Sequence, residues 1–364
     1  MATISRITFY VNPSWRRKGI HTPLLNPWWG NPLTESSLYT KQLFDSYSFD
    51  TSYYTATADI NFADAVLAPY PQAWFLRHDK ALFDECIMTA RKHSLPLLVD
   101  GSGDVEYTIS GNNIFVLRYG GYRFLPEKGR IQIPLYADDL LARYRNGELS
   151  VRKKVSKPSI GFAGWGALSM QQRLRTYAKE LPLRLRALVD PRYRACTKGV
   201  LWREKAIRML EQSPLVTLNA RVRGTFSGTA KTAEGDQRRL QKEMVNTFLG
   251  SDYALDVKGD ANNSARLFEA LSLGRIPVIV DTERNFPFAD EVDYSSFALI
   301  VDFRDIKKLP ERIAEFHKNI SPERFEEMQK NARNAYVNYF RIDAVMRHVV
   351  PELKRQLAAA HGRF

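Results

Sequence analysis

The chain has 364 residues, 44% of them hydrophobic and 26% charged, with a net charge of +13. That length suits two domains that each close their own core, and the composition is that of a soluble globular protein. No apolar run approaches bilayer-spanning length, the two cysteines, Cys86 and Cys196, supply no disulfide framework, and the six histidines show no zinc spacing.

Residues 4–11 alternate loosely and predict a first strand rather than a secretion signal. Residues 12–32 are broken by Pro13, Gly19, Pro23, Pro27, Gly30 and Pro32 and read as loop. Trp15, Trp28 and Trp29 lie there beside Arg16, Arg17, Lys18 and His21. They either stack on a sugar or anchor the loop. Residues 63–69 predict a short buried strand. Leu82, Phe83, Cys86, Ile87 and Ala90 give 80–93 a helical spacing. Residues 95–100 predict the next strand, which runs into Gly101 to Glu106, a loop at a strand's carboxyl end. Residues 113–119 and 130–135 predict further strands. Strands alternating with helices imply an α/β domain with a mainly parallel sheet. Residues 136–157 turn charged and polar and are expected to connect two domains.

A strand over 159–163 then feeds Gly164-Trp165-Gly166-Ala167, a glycine turn of the kind that opens nucleotide-binding domains. Residues 170–188 predict one basic helix, and 201–212 a second, carrying Arg203 and Arg208. Residues 216–222 predict a strand leading into Arg221 and Arg223. The following GTFSGTAKT lacks the adjacent Gly-Lys of a P-loop. A helix over 238–249 reaches the most legible stretch, 253–280. It reads as strand, glycine loop (258–263), helix capped by Ser264, left-handed Gly274, and the apolar run Ile276 to Val280. That run does not alternate, as expected of a strand covered on both faces. Ligands in such units bind beyond the strands' carboxyl ends, where a helix N-terminus favours phosphate. Glu269, one turn into the helix, can accept from a sugar's vicinal hydroxyls or pair with Arg266. Residues 297–301 predict a last strand. Ser321-Pro322-Glu323 starts a helix towards Phe340, and 343–360 continues as helix, interrupted near Pro351.

Gly259, Ser264, Arg266, Glu269, Leu271, Gly274, Ile276, Pro277, Val278 and Ile279 form a pattern that resembles the exostosin family, glycosyltransferase family 47. That family carries a glycine loop, Ser-x-Arg-x-x-Glu-x-Leu, and Gly-x-Ile-Pro-Val-Ile. The likeness continues through Phe286-Pro287-Phe288 and Asp293 to Phe297, with Tyr294 where the family has Trp. It spans roughly a quarter of the chain.

The resemblance implies an α/β fold of GT-B architecture, with two facing Rossmann-like domains and mainly parallel sheets. Residues 1–157 would be the acceptor-side domain with its linker, and 158–340 the nucleotide-sugar-binding domain. Residues 341–364 would be a helix packing back on the first domain. The implied reaction is an inverting transfer from a nucleotide-sugar donor, UDP-linked, to a hydroxyl of a growing glycan or lipid-linked saccharide in surface polysaccharide synthesis. Gly164, Arg221, Arg223, Lys258, Gly259, Asn263, Ser264, Arg266 and Glu269 are the expected donor-binding residues. Lys258 stands where the family often has Arg. No D-x-D triplet occurs, so neither metal nor other cofactor is expected, and amides and basic side chains would stabilise the departing diphosphate. Asp104 is the expected general base, with Glu106, His78 and His21 as alternatives.

Exostosins usually carry an anchor and a secretory address that this sequence lacks. A cytoplasmic, microbial-type member is therefore expected, placed by its charge at the anionic inner face of the plasma membrane. No nucleic-acid motif accompanies that charge, so no nucleic-acid partner is expected. The alternative is a non-catalytic glycan- or lipid-binding protein on the same fold.

Overall fold

The computed structural model describes residues 6–34, 38–103, 107–109, 111, 113–225 and 236–361. Strands β1 (Ile7–Tyr10), β2 (Tyr54–Thr57), β3 (Ala65–Leu67), β4 (Leu97–Asp100), β5 (Ile114–Arg118) and β6 (Arg130–Gln132) form a parallel sheet in the order β2-β1-β3-β4-β5-β6. Strands β7 (Ser159–Trp165), β8 (Thr217–Arg223), β9 (Tyr253–Val257), β10 (Ile276–Asp281) and β11 (Leu299–Asp302) form a second, in the order β11-β10-β9-β7-β8, also parallel. The winding is the same in both. The second strand lies outside the first, and the chain then crosses to the other side. That reversal leaves a crevice between the first and third strands at their carboxyl ends. Two such domains facing one another make the GT-B architecture.

The helices are α1 (Asn26–Trp29), α2 (Leu38–Ser46), α3 (Gln72–His78), α4 (Lys80–Lys92), α5 (Leu140–Arg145), α6 (Met170–Lys179), α7 (Leu181–Val189), α8 (Gly199–Glu211), α9 (Gln237–Leu249), α10 (Ala265–Ser272), α11 (Leu309–Asn319), α12 (Pro322–Ala335) and α13 (Ile342–His361). Local rules account for many of their ends. Asp79 caps α4 by accepting from the Leu82 amide at 3.0 Å, and Ser321 caps α12, with Pro322 in its first turn. Every residue of β4 and β10 is buried, because helices cover both faces of each sheet.

Helix α13 lays Ile342, Val345, Met346, Val349, Val350 and Leu353 into the core of the first sheet, beside Ile7, Phe9, Leu98 and Phe115. The chain's last described helix thus braces its first domain. It runs through Pro351 without interruption, held on that core by the apolar residues on either side. Three further expectations change. The basic stretch 170–188 is two helices, because Pro182 has no N–H for the ladder and a new helix starts at Leu181. The strand at 159 continues through Gly164 to Trp165, paired residue by residue with β8. The polar connection contains α5, whose Leu140 and Leu141 pack in one cluster with Ala163, Phe248 and Ala254 of the second domain.

Polar contacts also join the domains. Arg123 Nη2 meets Asp281 Oδ2 at 2.7 Å, and Arg333 grips both oxygens of Asp139 at 2.7 and 2.9 Å.

Candidate functional site

The crevice of the second sheet lies between β7 and β9. Beyond β9, residues 258–264 loop into α10, and the loop is pinned from several sides. The Gly259 amide donates to the Asn263 carbonyl at 2.6 Å. The buried Asn262 donates to the Gly121 and Thr282 carbonyls at 2.9 and 3.0 Å and accepts from the Thr282 hydroxyl at 2.6 Å. Ser264 is extended, and its hydroxyl accepts from the Arg266 amide at 3.3 Å, capping α10. A cavity of about 410 Å³ opens here between the domains. The second domain lines it with Trp165, Arg203, Gly259, Asn263, Ser264, Arg266 and Glu269, and the first with Tyr39, Tyr136 and Asp138. Its size is that of a small-molecule site.

Two guanidiniums dominate its chemistry. Arg266 donates through Nε to the Ala163 carbonyl at 2.8 Å and pairs with Glu269. Gly164 makes room for it. Its φ of +150° suits glycine, and a Cβ there would sit 3.2 Å from Arg266 Nη2. Arg203, from α8, donates to the Trp165 carbonyl at 3.2 Å and to the Val257 carbonyl at 3.3 Å. It therefore bridges the ends of the two strands that flank the crevice. Among the described residues no carboxylate lies within ion-pairing distance of it. Burial, and then the neighbouring Arg266, push its pKa down. Three carboxylates also line the cavity, each with a cationic partner: Asp260 lies 3.8 Å from the Lys198 ammonium, Asp138 pairs with Arg143 and Glu269 with Arg266. That leaves the Arg203 guanidinium, beside the first-turn amides of α10, to favour an anionic guest.

From the facing domain come a phenol and a carboxylate. Tyr39 donates its hydroxyl to the Gln237 carbonyl at 2.7 Å, and burial, followed by Glu269, pushes its pKa up to about 12. Asp138 is buried and pairs through Oδ2 with Arg143, while its buried Oδ1 has no hydrogen-bond partner among the described residues. Burial raises the pKa of Asp138 despite Arg143. Asp139, next in sequence, is occupied by Arg333 and by the Ala142 amide.

The structure gathers Gly259, Asn263, Ser264, Arg266 and Glu269 around the cavity, with Gly164 directly behind Arg266. Three other expected donor contacts lie elsewhere. Arg221 and Arg223 end the edge strand β8, one strand outward from the crevice, and both face Glu243 of α9. Lys258 points inward, donating its ammonium to the Tyr122 hydroxyl at 2.7 Å and the Ala195 carbonyl at 3.0 Å. Burial lowers its pKa to about 8. It ties the two domains together behind the loop.

Asp104 and Glu106 fall outside the described residues. His21 is buried, bonded to the Thr22 carbonyl at 2.9 Å, and its pKa is lowered by burial. His78 lies against Trp74, with ring centroids 5.4 Å apart, and neither histidine lines the cavity. Trp15 is an anchor of the loop. It is fully buried, and its indole N–H donates to Glu85 at 2.7 Å. Sequence reasoning gave Arg203 a helix without a role and left Asp138 in a connection. The only signal for the latter was a pair of aspartates soon after the first domain's last strand. Among the described residues no three His, Cys, Asp or Glu side chains are grouped to hold a metal. No helix among them is long and apolar enough to cross a membrane.

Residues 203–316 match the model of the exostosin GT47 domain. The Exostosin-1 homolog of Caenorhabditis elegans is 32% identical over 109 residues, which are 30% of this chain and 28% of that protein. Among solved structures, HepE of Anabaena in complex with UDP-glucose shares 11% identity at a TM-score of 0.40, covering 97% of this chain and 99% of that one. A glycosyltransferase of Rickettsia africae ESF-5 shares 12% at 0.37, covering 81% and 77%. The pneumococcal O-GlcNAc transferase GtfA, with UDP and GlcNAc, shares 11% at 0.35, covering 82% and 57%. These structural likenesses are distant, and the fold rests on the strand order itself. The GT47 match begins at Arg203 and takes in the loop, Ser264, Arg266 and Glu269, so this chain carries an exostosin-like glycosyltransferase domain.

Proposed function

We propose that the chain transfers a sugar from a nucleotide-sugar donor, UDP-linked, to a hydroxyl of a glycan or lipid-linked saccharide, with inversion at the anomeric carbon. The observation that carries this is Arg203. A guanidinium bridging β7 and β9, with no carboxylate partner among the described residues, stands beside a capped helix N-terminus in the GT47 segment. In this reading the diphosphate lies on Arg203, Arg266 and the α10 amides, and Glu269 accepts from sugar hydroxyls. The acceptor oxygen bonds to the anomeric carbon from the opposite face. The bond to the diphosphate breaks, its electron pair leaves on the phosphate oxygen, and a base takes the acceptor's proton.

Among the described residues Asp138 is the first-domain carboxylate on the cavity wall, and its unpartnered oxygen and raised pKa suit a base. Asp104 is the other proposed base. The reaction needs no metal in this scheme, because the two guanidiniums supply the counter-charge. The proposed setting is surface polysaccharide synthesis at the cytoplasmic face of the plasma membrane.

Calorimetric titration with UDP in EDTA, followed by a panel of nucleotide sugars assayed for diphosphate release, tests the reading. Metal-free UDP binding and release from one donor are expected. Binding that strictly requires manganese would overturn the metal-free scheme. UDP binding with no donor turned over would leave a non-catalytic glycan- or lipid-binding protein.

A further inference from the structure

Helices α6 and α7 break the usual rule for amphipathic helices. Met170, Leu174 and Tyr177 recur on α6 at the spacing of one helical face, as do Leu181, Leu185 and Leu188 on α7. Such a stripe ordinarily faces a core. Here all six are exposed, and Val189 at the end of α7 is 90% exposed. The stripe lies in a strongly cationic segment. Residues 170–198 hold eight Lys or Arg and two acidic residues, nearly half of the chain's net +13.

Beside the stripe is a second cavity, of about 460 Å³, which Arg173, Arg184, Arg194, Lys205 and Arg208 line. Among the described residues Glu204 is the one carboxylate on its wall, and Arg173 pairs with it. Arg184 lies 4.4 Å from the Tyr177 ring, and Lys205 lies 5.3 Å from the Trp202 ring. Burial first, and then Lys307, Arg208 and Arg194, hold the Lys205 ammonium below its ordinary pKa. Like charges gathered this closely repel one another, and an anion among them relieves the repulsion.

We propose that the α6–α7 face, with the basic cavity beside it, docks on an anionic lipid bilayer. The aliphatic stripe enters the boundary between headgroups and acyl chains, and headgroup phosphates meet the cations. Charge selects this occupant over the others. A second copy of the chain would bring the same cations against themselves. A nucleic acid would satisfy the cations but leave the row of leucines in water. The geometry has a consequence for the neighbouring site. Helix α8 lends Arg203 to the interdomain cavity and Trp202, Lys205 and Arg208 to the basic one. A bilayer bound at the second cavity therefore lies one helix away from the first.

The inference does not rest on the transfer reaction, because vesicle binding is read without donor or acceptor. The test is co-sedimentation of the full chain with phosphatidylcholine vesicles, with and without about 30% phosphatidylglycerol. Binding to the anionic vesicles alone is expected, weakening as salt screens the charges. The double variant Leu188→Glu and Val189→Glu replaces two exposed residues, so its melting temperature should hold while vesicle binding falls about tenfold or more. Arg194→Ala with Arg208→Ala should lower binding severalfold. Three outcomes overturn the proposal: equal binding to neutral vesicles, wild-type binding by the leucine–valine variant, or tighter binding to a single-stranded RNA than to anionic vesicles.

Discussion

The two domains share one winding, and each has a crevice between its first and third strands, yet among the described residues one is filled by aromatic rings and the other opens into a cavity. In the first domain, Trp15 packs edge-on against Tyr10 at the end of β1, with ring centroids 5.6 Å apart. Tyr70 joins the same buried cluster as Val66, Ala68 and Phe75, and its hydroxyl donates to the Arg17 carbonyl at 2.7 Å. The chain of residues 12–25 closes over that end of the sheet, with the Thr22 amide on the Pro69 carbonyl at 2.9 Å. In the second domain the corresponding place holds Arg203 and Arg266, each bonded to main-chain carbonyls, and a cavity. Winding creates a crevice in either case. Aromatic rings with satisfied polar atoms turn it into core, and guanidiniums with donors to spare turn it into a site.

The largest effect expected from breaking this contrast is in the filled crevice. Trp15→Ala should cost about 3–5 kcal/mol in urea unfolding while the folded fraction binds UDP normally. A matching loss of UDP affinity would mean that the first crevice also serves the donor. Next is the first-domain carboxylate on the wall of the open crevice. Asp138→Asn should slow transfer roughly a hundredfold or more with UDP affinity retained. A wild-type rate would pass the role to Asp104, tested by the same substitution.

Arg203→Ala should weaken UDP binding by about 1.5–3 kcal/mol, whereas Arg221→Ala on the β8 edge should change it by less than about 0.5 kcal/mol. Equal losses would erase the distinction between crevice and edge. Gly164→Ala forces a side chain onto a φ of +150° and against Arg266, and about 1–3 kcal/mol of strain should appear as lower stability and weaker UDP binding together.

Lys258→Met should leave UDP affinity unchanged, because that ammonium lies behind the loop. Its signature is in stability against pH. The folded pKa of about 8 lies below the ordinary 10.5, so the unfolded chain holds the proton more tightly. The burial penalty is complete below about pH 8, and stability should rise through the window up to 10.5 and then level off. Thermal melts across that window should show the rise in wild type and lose it in the variant.

Much of the open crevice was legible from residues alone. The loop, the Ser264 cap, left-handed Gly274 and the covered strand β10 follow from neighbours within a few positions, which is the range of caps, turns and helix faces. The same local spacing brought Arg266 and Glu269 to one side of α10, and the resemblance to exostosins lay in that stretch too. That Arg221, Arg223 and Lys258 lie away from the cavity has one cause. A basic residue after a strand reads alike whether it enters the crevice, lies on an edge or turns inward. Arg223 and Lys258 differ only in what other segments bring, Glu243 to one and Tyr122 with Ala195 to the other.

By itself, then, the sequence determined the α/β winding and a phosphate-ready loop and helix, because backbone hydrogen bonding and periodic burial act locally. Only the tertiary structure decided that Arg203 spans the crevice, that Asp138 is buried with an oxygen unpartnered among the described residues, and that the α6–α7 stripe is exposed. Those outcomes depend on which distant segments exclude water from a side chain. Desolvation and ion pairing are properties of the packed assembly, and no spacing along the chain encodes them singly.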